Sequence, residues 1–209
     1  MSTITALEAA MPAIAGATPY PWPYHGTFAP ARTALVACVD TRWRVEGASS
    51  DEADARLALL AGGLGEAGAL VVAVTATPAR RPQGGAARPP QRGPDRGRGW
   101  LAADVEIGAG ATSAFYASAL DDVLRSGGRT DLVVAGWGLE GPVHSTVRAA
   151  NDRGYECLLV ADASIATDPR LAVASCEMVR HSGGIFGAFA QTGDVLDALG
   201  GTTRTRSGR

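Results

Sequence analysis

The side chains able to do chemistry gather around one glycine-rich turn and one strand end. Gly136, Gly138 and Gly141 crowd residues 136–143, GWGLEGPV, between the apolar run 132–135 and a segment of helical patterning. In an open α/β sheet, ligands bind outside the carboxyl ends of the strands, beside helix N-termini whose backbone N–H groups lack partners. This turn is therefore the first place to expect a site, with Leu139, Glu140 and Pro142 inside it and His144 and Ser145 just beyond. Glu140 reads as a solvated or loop-stabilising carboxylate. His144 is expected on the exposed side of the helix, and Ser145 one turn in, away from the mouth. The second candidate is Asp40, the polar end of the apolar run 33–40, TALVACVD. Cys38, two residues earlier, shares its face of the strand but lies deeper. Cys38 and Cys157 read as buried, inert thiols. With Cys176 the cysteines number three, and an odd count argues for reduced thiols rather than a disulfide framework. Neither a metal nor a cofactor is expected.

Those residues need a frame. Apolar runs predict strands over 33–40, 69–75, 101–107, 132–135 and 157–160, with a short edge strand over 185–188. Their nearly continuous apolar character is that of parallel strands buried on both faces. Between them lie helical segments at 50–67, 113–126, 142–153, 168–182 and 193–199. Ser50, Asp51 and Glu52 give the first a polar, anionic start, and Leu57, Leu59, Leu60 and Leu64 its buried side. Ser113 is placed as the N-cap of the second, with Phe115, Ala119, Leu120, Val123 and Leu124 inward and Asp121 and Asp122 in solvent. Pro169 suits a first helical turn, and Gly154 a left-handed C-cap. Asp162 is expected to stabilise the loop after the fifth strand. The predicted fold is α/β: a doubly wound, Rossmann-like, mostly parallel six-stranded sheet with helices on both faces. Residues 1–25 form an N-terminal arm, 26–200 the domain, 78–100 a flexible Pro/Gly/Arg loop within it, and 201–209 a flexible tail. In the arm, 5–15 reads as an amphipathic helix or a frayed tail, and 17–30 as extended. Tyr20, Trp22 and Tyr24 are expected to pack on the sheet or on a neighbouring subunit, and His25 has no visible partner.

The bulk numbers bound the function. A chain of 209 residues with 46% hydrophobic residues suits one domain with a sizeable core. A formal charge of -2 gives no basic footprint for nucleic acid. No run reaches the roughly 18 apolar residues of a membrane span, and the first 17 residues lack a basic n-region. A cytoplasmic location with no membrane or nucleic-acid partner is the default expectation. All 19 basic residues are arginine; the chain contains no lysine.

The spacing around Gly136 resembles the cysteine-hydrolase branch of the isochorismatase-like superfamily. Its motif places a threonine three residues after the glycine, the nucleophilic cysteine three further on, then a valine, and a threonine in the next turn. Here those positions hold Leu139, Pro142, Val143 and Thr146. Residues 148–160 (RAANDRGYECLLV), 19–24 (PYPWPY) and 176–186 (CEMVRHSGGIF) resemble biuret and ureidoacrylate amidohydrolases in particular. The likeness spans about residues 19–200 and is broken over 76–112. It implies that Asp40 stands at the acid/base position. Arg42 and Trp43 stand where the family has a glutamine and an acidic-aromatic pair. The catalytic lysine's position, six residues before Phe115, holds Ala109. The implied pocket lies between Asp40, Ala109 and the Gly138–Pro142 turn, with Trp43, Gly138, Leu139, Glu140, Gly141 and Phe115 as its lining.

Thiol-based amide hydrolysis needs a thiolate at a helix N-terminus, a base or cation to manage the proton, and backbone N–H groups aimed at the oxyanion. Of these the chain keeps the aspartate. Pro142 lacks both the sulfur and the N–H, yet is comfortable early in a helix. Three functions are consistent with this. One is a catalytically inactive homologue serving as a structural or regulatory subunit, in a homo-oligomer or with an active paralogous hydrolase. Another is a hydrolase of a small C–N amide or vinyl ether that uses Asp40 without a thiol. The third is a module that binds a small amide or carboxylate.

Overall fold

The runs predicted as strands pair because both of their faces are apolar and both are covered by helices. In the computed structural model, which describes residues 11–76 and 100–206, six strands form one parallel sheet. In chain order β1 (Met11–Ile14) and β2 (Trp22–Phe28) make a small antiparallel pair outside it. The main sheet is built from β3 (Thr33–Cys38), β4 (Leu70–Ala76), β5 (Val105–Ala109), β6 (Asp131–Trp137), β7 (Glu156–Ile165) and β8 (Ala188–Ala190). Their order is β5-β4-β3-β6-β7-β8, and every neighbour is parallel. The helices are α1 (Ala48–Glu66), α2 (Leu120–Ser126), α3 (His144–Asn151), α4 (Pro169–His181) and α5 (Thr192–Arg206). The doubly wound six-stranded architecture expected from the sequence is the one found.

Strand pleating divides the core in two. Leu35 and Ala37 of β3 face α1 and α5, where they meet Leu57, Leu60, Leu64 and Val195. Ala34, Val36 and Cys38 face the other way, onto Leu120, Leu124, Val147 and Val179. Chain direction across the sheet reverses between β3 and β6, which lead outward to opposite edges. The crevice outside their carboxyl ends is the topological switch point, where open α/β sheets place their ligands.

Several local expectations are corrected. Residues 11–14 are a strand, not part of a helix; residues 5–10 and the loop 77–99 lie outside the described residues. Trp22 is fully buried and Tyr20 hydrogen-bonds Glu156, but Tyr24 is exposed. His25 does find partners, lying 3.5 Å from Asp131 and beside Arg32. Leu59 is exposed, because it sits two residues from both Leu57 and Ala61 and so points off their buried stripe. The second helix starts at Leu120 instead of 113. Ala117 adopts a left-handed φ of 46° there, and Ser113 Oγ accepts from the Phe115 N–H in a local turn. Ala119 is exposed as a consequence. Asp121 is not merely solvated, since it accepts from Tyr155 and Arg125. The edge strand lies at Ala188–Ala190, not 185–188. The closing helix runs on to Arg206, through residues assigned to a flexible tail. Asp162 accepts from the N–H and hydroxyl of Thr192 and so caps α5. Gly154 has the expected left-handed conformation.

Candidate active site

Three strand ends build the site. Asp40 follows β3, Ala109 ends β5, and residues 138–143 follow β6, all at the carboxyl edge of the sheet. β3 and β6 approach so closely that a Cβ on Gly136 would lie 2.1 Å from the Cys38 carbonyl oxygen. Gly138 takes the left-handed conformation, φ 75° and ψ 61°, and its N–H donates to the Ile165 carbonyl at 2.8 Å. The turn that follows is wider than an α-helical one. In an α-helix the N–H of residue 142 would reach the Gly138 carbonyl; proline has none, so the Val143 N–H donates there instead at 3.2 Å. The helix predicted from Pro142 to 153 is thus a wide turn over Leu139–Val143 followed by α3.

Trp43 lies on this turn. A Cβ on Gly138 would sit 2.8 Å from the indole, and one on Gly141 2.6 Å from it. The two glycines are needed for the indole to rest on the backbone. Leu139, Gly141 and Pro142 are buried beneath, and Glu140 accepts from the Thr167 N–H at 3.2 Å and from its hydroxyl. Glu140 is therefore a loop tether, one of the two roles expected of it. Phe115 is buried on the α2–α3 side, 5.7 Å from the Tyr155 ring. Ala109 is buried and leaves the end of β5 without a charged group. Thr146 accepts from the Ala114 N–H at 3.0 Å and contacts Cys38 Sγ at 3.7 Å.

Asp40 is only 6% exposed, and its whole carboxylate is engaged by Arg42. Arg42 Nε lies 2.9 Å from both oxygens, Nη2 donates to Oδ2, and the Arg42 N–H donates to Oδ1 at 3.1 Å. Arg42 Nη2 also holds the Ala76 carbonyl at 2.8 Å, so the fork ties β3 to β4. The hydrogen bonds to Asp40 push the guanidinium's pKa upward. Sequence reasoning noticed Arg42 but missed this pairing. The arrangement recurs: Asp168 and Arg170 have the same spacing and form the same fork, which pulls Asp168 down to about 2. An Asp-x-Arg at the start of a turn folds back on itself.

The next arginine was not singled out at all. Arg44 is 2% exposed and bonds Asp54 through Nε at 3.0 Å and Nη2 at 2.9 Å, and Asp51 at 2.8 Å. Trp137 Nε1 donates to the other Asp54 oxygen at 2.6 Å, and Trp100 stacks on Trp137 at 5.6 Å. This network fixes the 41–44 turn, and with it Arg42 and Trp43, to α1 and β6. His144, expected on the exposed side, is instead buried; Ser145 is half-buried.

The cysteines are free, as expected. Burial pushes the Cys38 thiol up to about 12 and raises Cys157 well above its ordinary value. Neither will form a nucleophilic thiolate near neutrality. Native protein at pH 8 should leave both unalkylated by iodoacetamide over hours, with labelling appearing only in denaturant. Fast modification of Cys38 in the folded protein would contradict this burial. Among the described residues, no cluster of His, Cys, Asp and Glu could hold a metal ion, and no helix is long and apolar enough to cross a membrane.

The parallel doubly wound sheet carries an aspartate at β3's end and a glycine turn at β6's end, both at its switch point. The Isochorismatase domain family matches residues 41–191, and the chain belongs to the isochorismatase family. It is similar to an isochorismatase family protein from Burkholderia thailandensis at 24% identity and TM-score 0.64, covering 81% of this chain and 96% of that one. An isochorismatase from Pseudomonas putida is 27% identical, with TM-score 0.58 and coverage of 78% and 90%. A cysteine hydrolase from Pseudomonas syringae pv. phaseolicola shares the fold at 17% identity and TM-score 0.67, covering 82% and 94%.

Proposed function

We propose that this chain is a catalytically silent isochorismatase-family homologue, derived from an amidohydrolase of the biuret type, that serves as a structural or regulatory subunit. The observation that carries this reading is the Asp40–Arg42 fork beside a proline at the nucleophile position. A general acid must present a proton, and a general base a free lone pair aimed at substrate. In the fork Asp40 is an acceptor on both oxygens, turned toward its own chain. With Ala109 in the lysine position, Arg42 is the cation that pairs with Asp40 among the described residues. Trp43, seated on Gly138 and Gly141, covers the backbone of that turn. The exposed Tyr24, Leu171, Val173, Met178 and Ile185 supply apolar contacts for a second copy or for an active paralogue.

The test is a hydrolysis screen of the pure protein against biuret, ureidoacrylate-like amides, nicotinamide and isochorismate, with Asp40→Asn as control. No turnover above background is expected from either. Pro142→Cys alone should stay silent too, since Arg42 still holds Asp40. Turnover by the wild-type chain that disappears in Asp40→Asn would overturn the reading and point to acid catalysis without a thiol. Light scattering, alone and mixed with an active homologue, reads whether the chain self-associates or pairs.

A further inference from the structure

His144 opens α3, and at 3% exposure it is the buried histidine of the three; His25 and His181 are exposed. Its Nδ1 accepts from Arg148 Nε at 3.1 Å, which places the ring proton on Nε2. Nε2 is buried without a hydrogen-bond partner, and so is Ser175 Oγ on the facing side of α4. The ring meets Phe186 edge-on, centroids 6.0 Å apart. Arg148 lies over the same Phe186 at 4.3 Å and donates to Met178 Sδ at 3.7 Å. His144, Arg148, Phe186 and Met178 therefore form one joint between α3 and α4 with the turn that follows α4.

The charges around the ring are one-sided. Burial, and after it the charge of Arg148 on α3, push the imidazole's pKa down, while the backbone of His144 and of Ser175 on α4 opposes them. The nearby carboxylates are occupied elsewhere: Glu140 of the wide turn by Thr167, and Glu177 of α4 by Arg180 and His181. We propose that this contact is an acid-released joint. A proton taken from solvent at His144 Nδ1 breaks the bond from Arg148, sets two cations side by side, and frees α4 from α3. Phe186 then loses its cover, and the release reaches the Leu139–Val143 turn, on which α4 packs.

The ring is neutral in the closed joint, whereas in the open one it takes a proton at the ordinary histidine value of about 6.5. Stability is present above that pH and lost below it, with the opening constant rising about tenfold per pH unit until the closed form itself protonates. Hydrogen exchange of the full chain between pH 7.5 and 4.5, corrected for intrinsic rates, reads this directly. Amides of α4 should lose protection relative to β6 with that slope, and His144→Gln should flatten it. An unchanged slope in His144→Gln, or a flat wild type, overturns the joint. If His144→Gln does not fold, the ring carbons of the wild-type His144 are titrated by NMR. Titration that tracks the loss of α4 protection supports the joint, and titration near 6.5 with α4 protection constant overturns it.

Discussion

Gly136→Ala is expected to unfold the domain or to cost more than about 4 kcal/mol, the range reserved for buried strain with no escape. The residue sits mid-sheet at a φ of 126°, which side chains other than glycine's rarely adopt. Its missing Cβ is replaced by backbone: the Cys38 carbonyl oxygen would be 2.1 Å away, its carbon 2.8 Å and its nitrogen 2.9 Å. None of these can rotate aside, because Cys38 and Gly136 are register partners of the two central strands. The β6–β7 pairing is also irregular here. Between Val134 and Gly136 β6 advances two residues, while β7 advances five, from Leu159 to Ser164. Gly136 therefore lets the sheet open at its switch point while keeping β3 close. Gly154→Ala is the control. It has a left-handed φ of 84° but nothing within 4 Å, so it should cost only about 1–2 kcal/mol. Urea denaturation of both variants decides the matter, and equal costs would refute the close-approach account.

The second large effect should come from Arg44→Met, at about 3–5 kcal/mol, the usual result of removing one partner of a buried ion pair. Met fills much of the arginine stem's volume, so the loss would be electrostatic more than steric. Asp54 would keep its bond from Trp137 Nε1 but face the core without the guanidinium. The double variant Arg44→Met/Asp54→Leu should recover part of the loss, because the buried carboxylate that Arg44 balances goes with it. A single variant within about 1 kcal/mol of wild type would place Arg44 among ordinary surface pairs instead. The 41–44 turn would then have to be held by something other than this network.

The sheet was legible because each central strand is apolar on both faces, a pattern that only a covered parallel sheet explains. Turn chemistry was legible where glycine or proline dictated it, as at Gly154 and Pro169. Two kinds of information were not. Helix starts set by tertiary fit, as at Leu120 after the left-handed Ala117, carry no periodic signal. Nor do charged partners far apart in sequence: Arg44 with Asp54, or His25 with Asp131, follow from the fold and not from spacing. Asp40 could be placed at the strand end from the sequence. Its capture by Arg42 needed the backbone of residues 40–43, although the same Asp-x-Arg arrangement recurs at Asp168. His144 was misplaced because α3 looks polar along the chain, and only the packing of α4 against it makes that edge an interior.

Both anchors of the long connection between β4 and β5 are set by the candidate site itself. On one side Arg42 grips the Ala76 carbonyl; on the other Trp100 stacks in parallel on Trp137, with 6° between the rings. The frame thus presents two fixed sockets, one at the end of β4 and one ahead of β5. For a protein engineer this is a grafting port, since a segment joined at these two sockets would leave the register of β4 with β3 and β5 untouched.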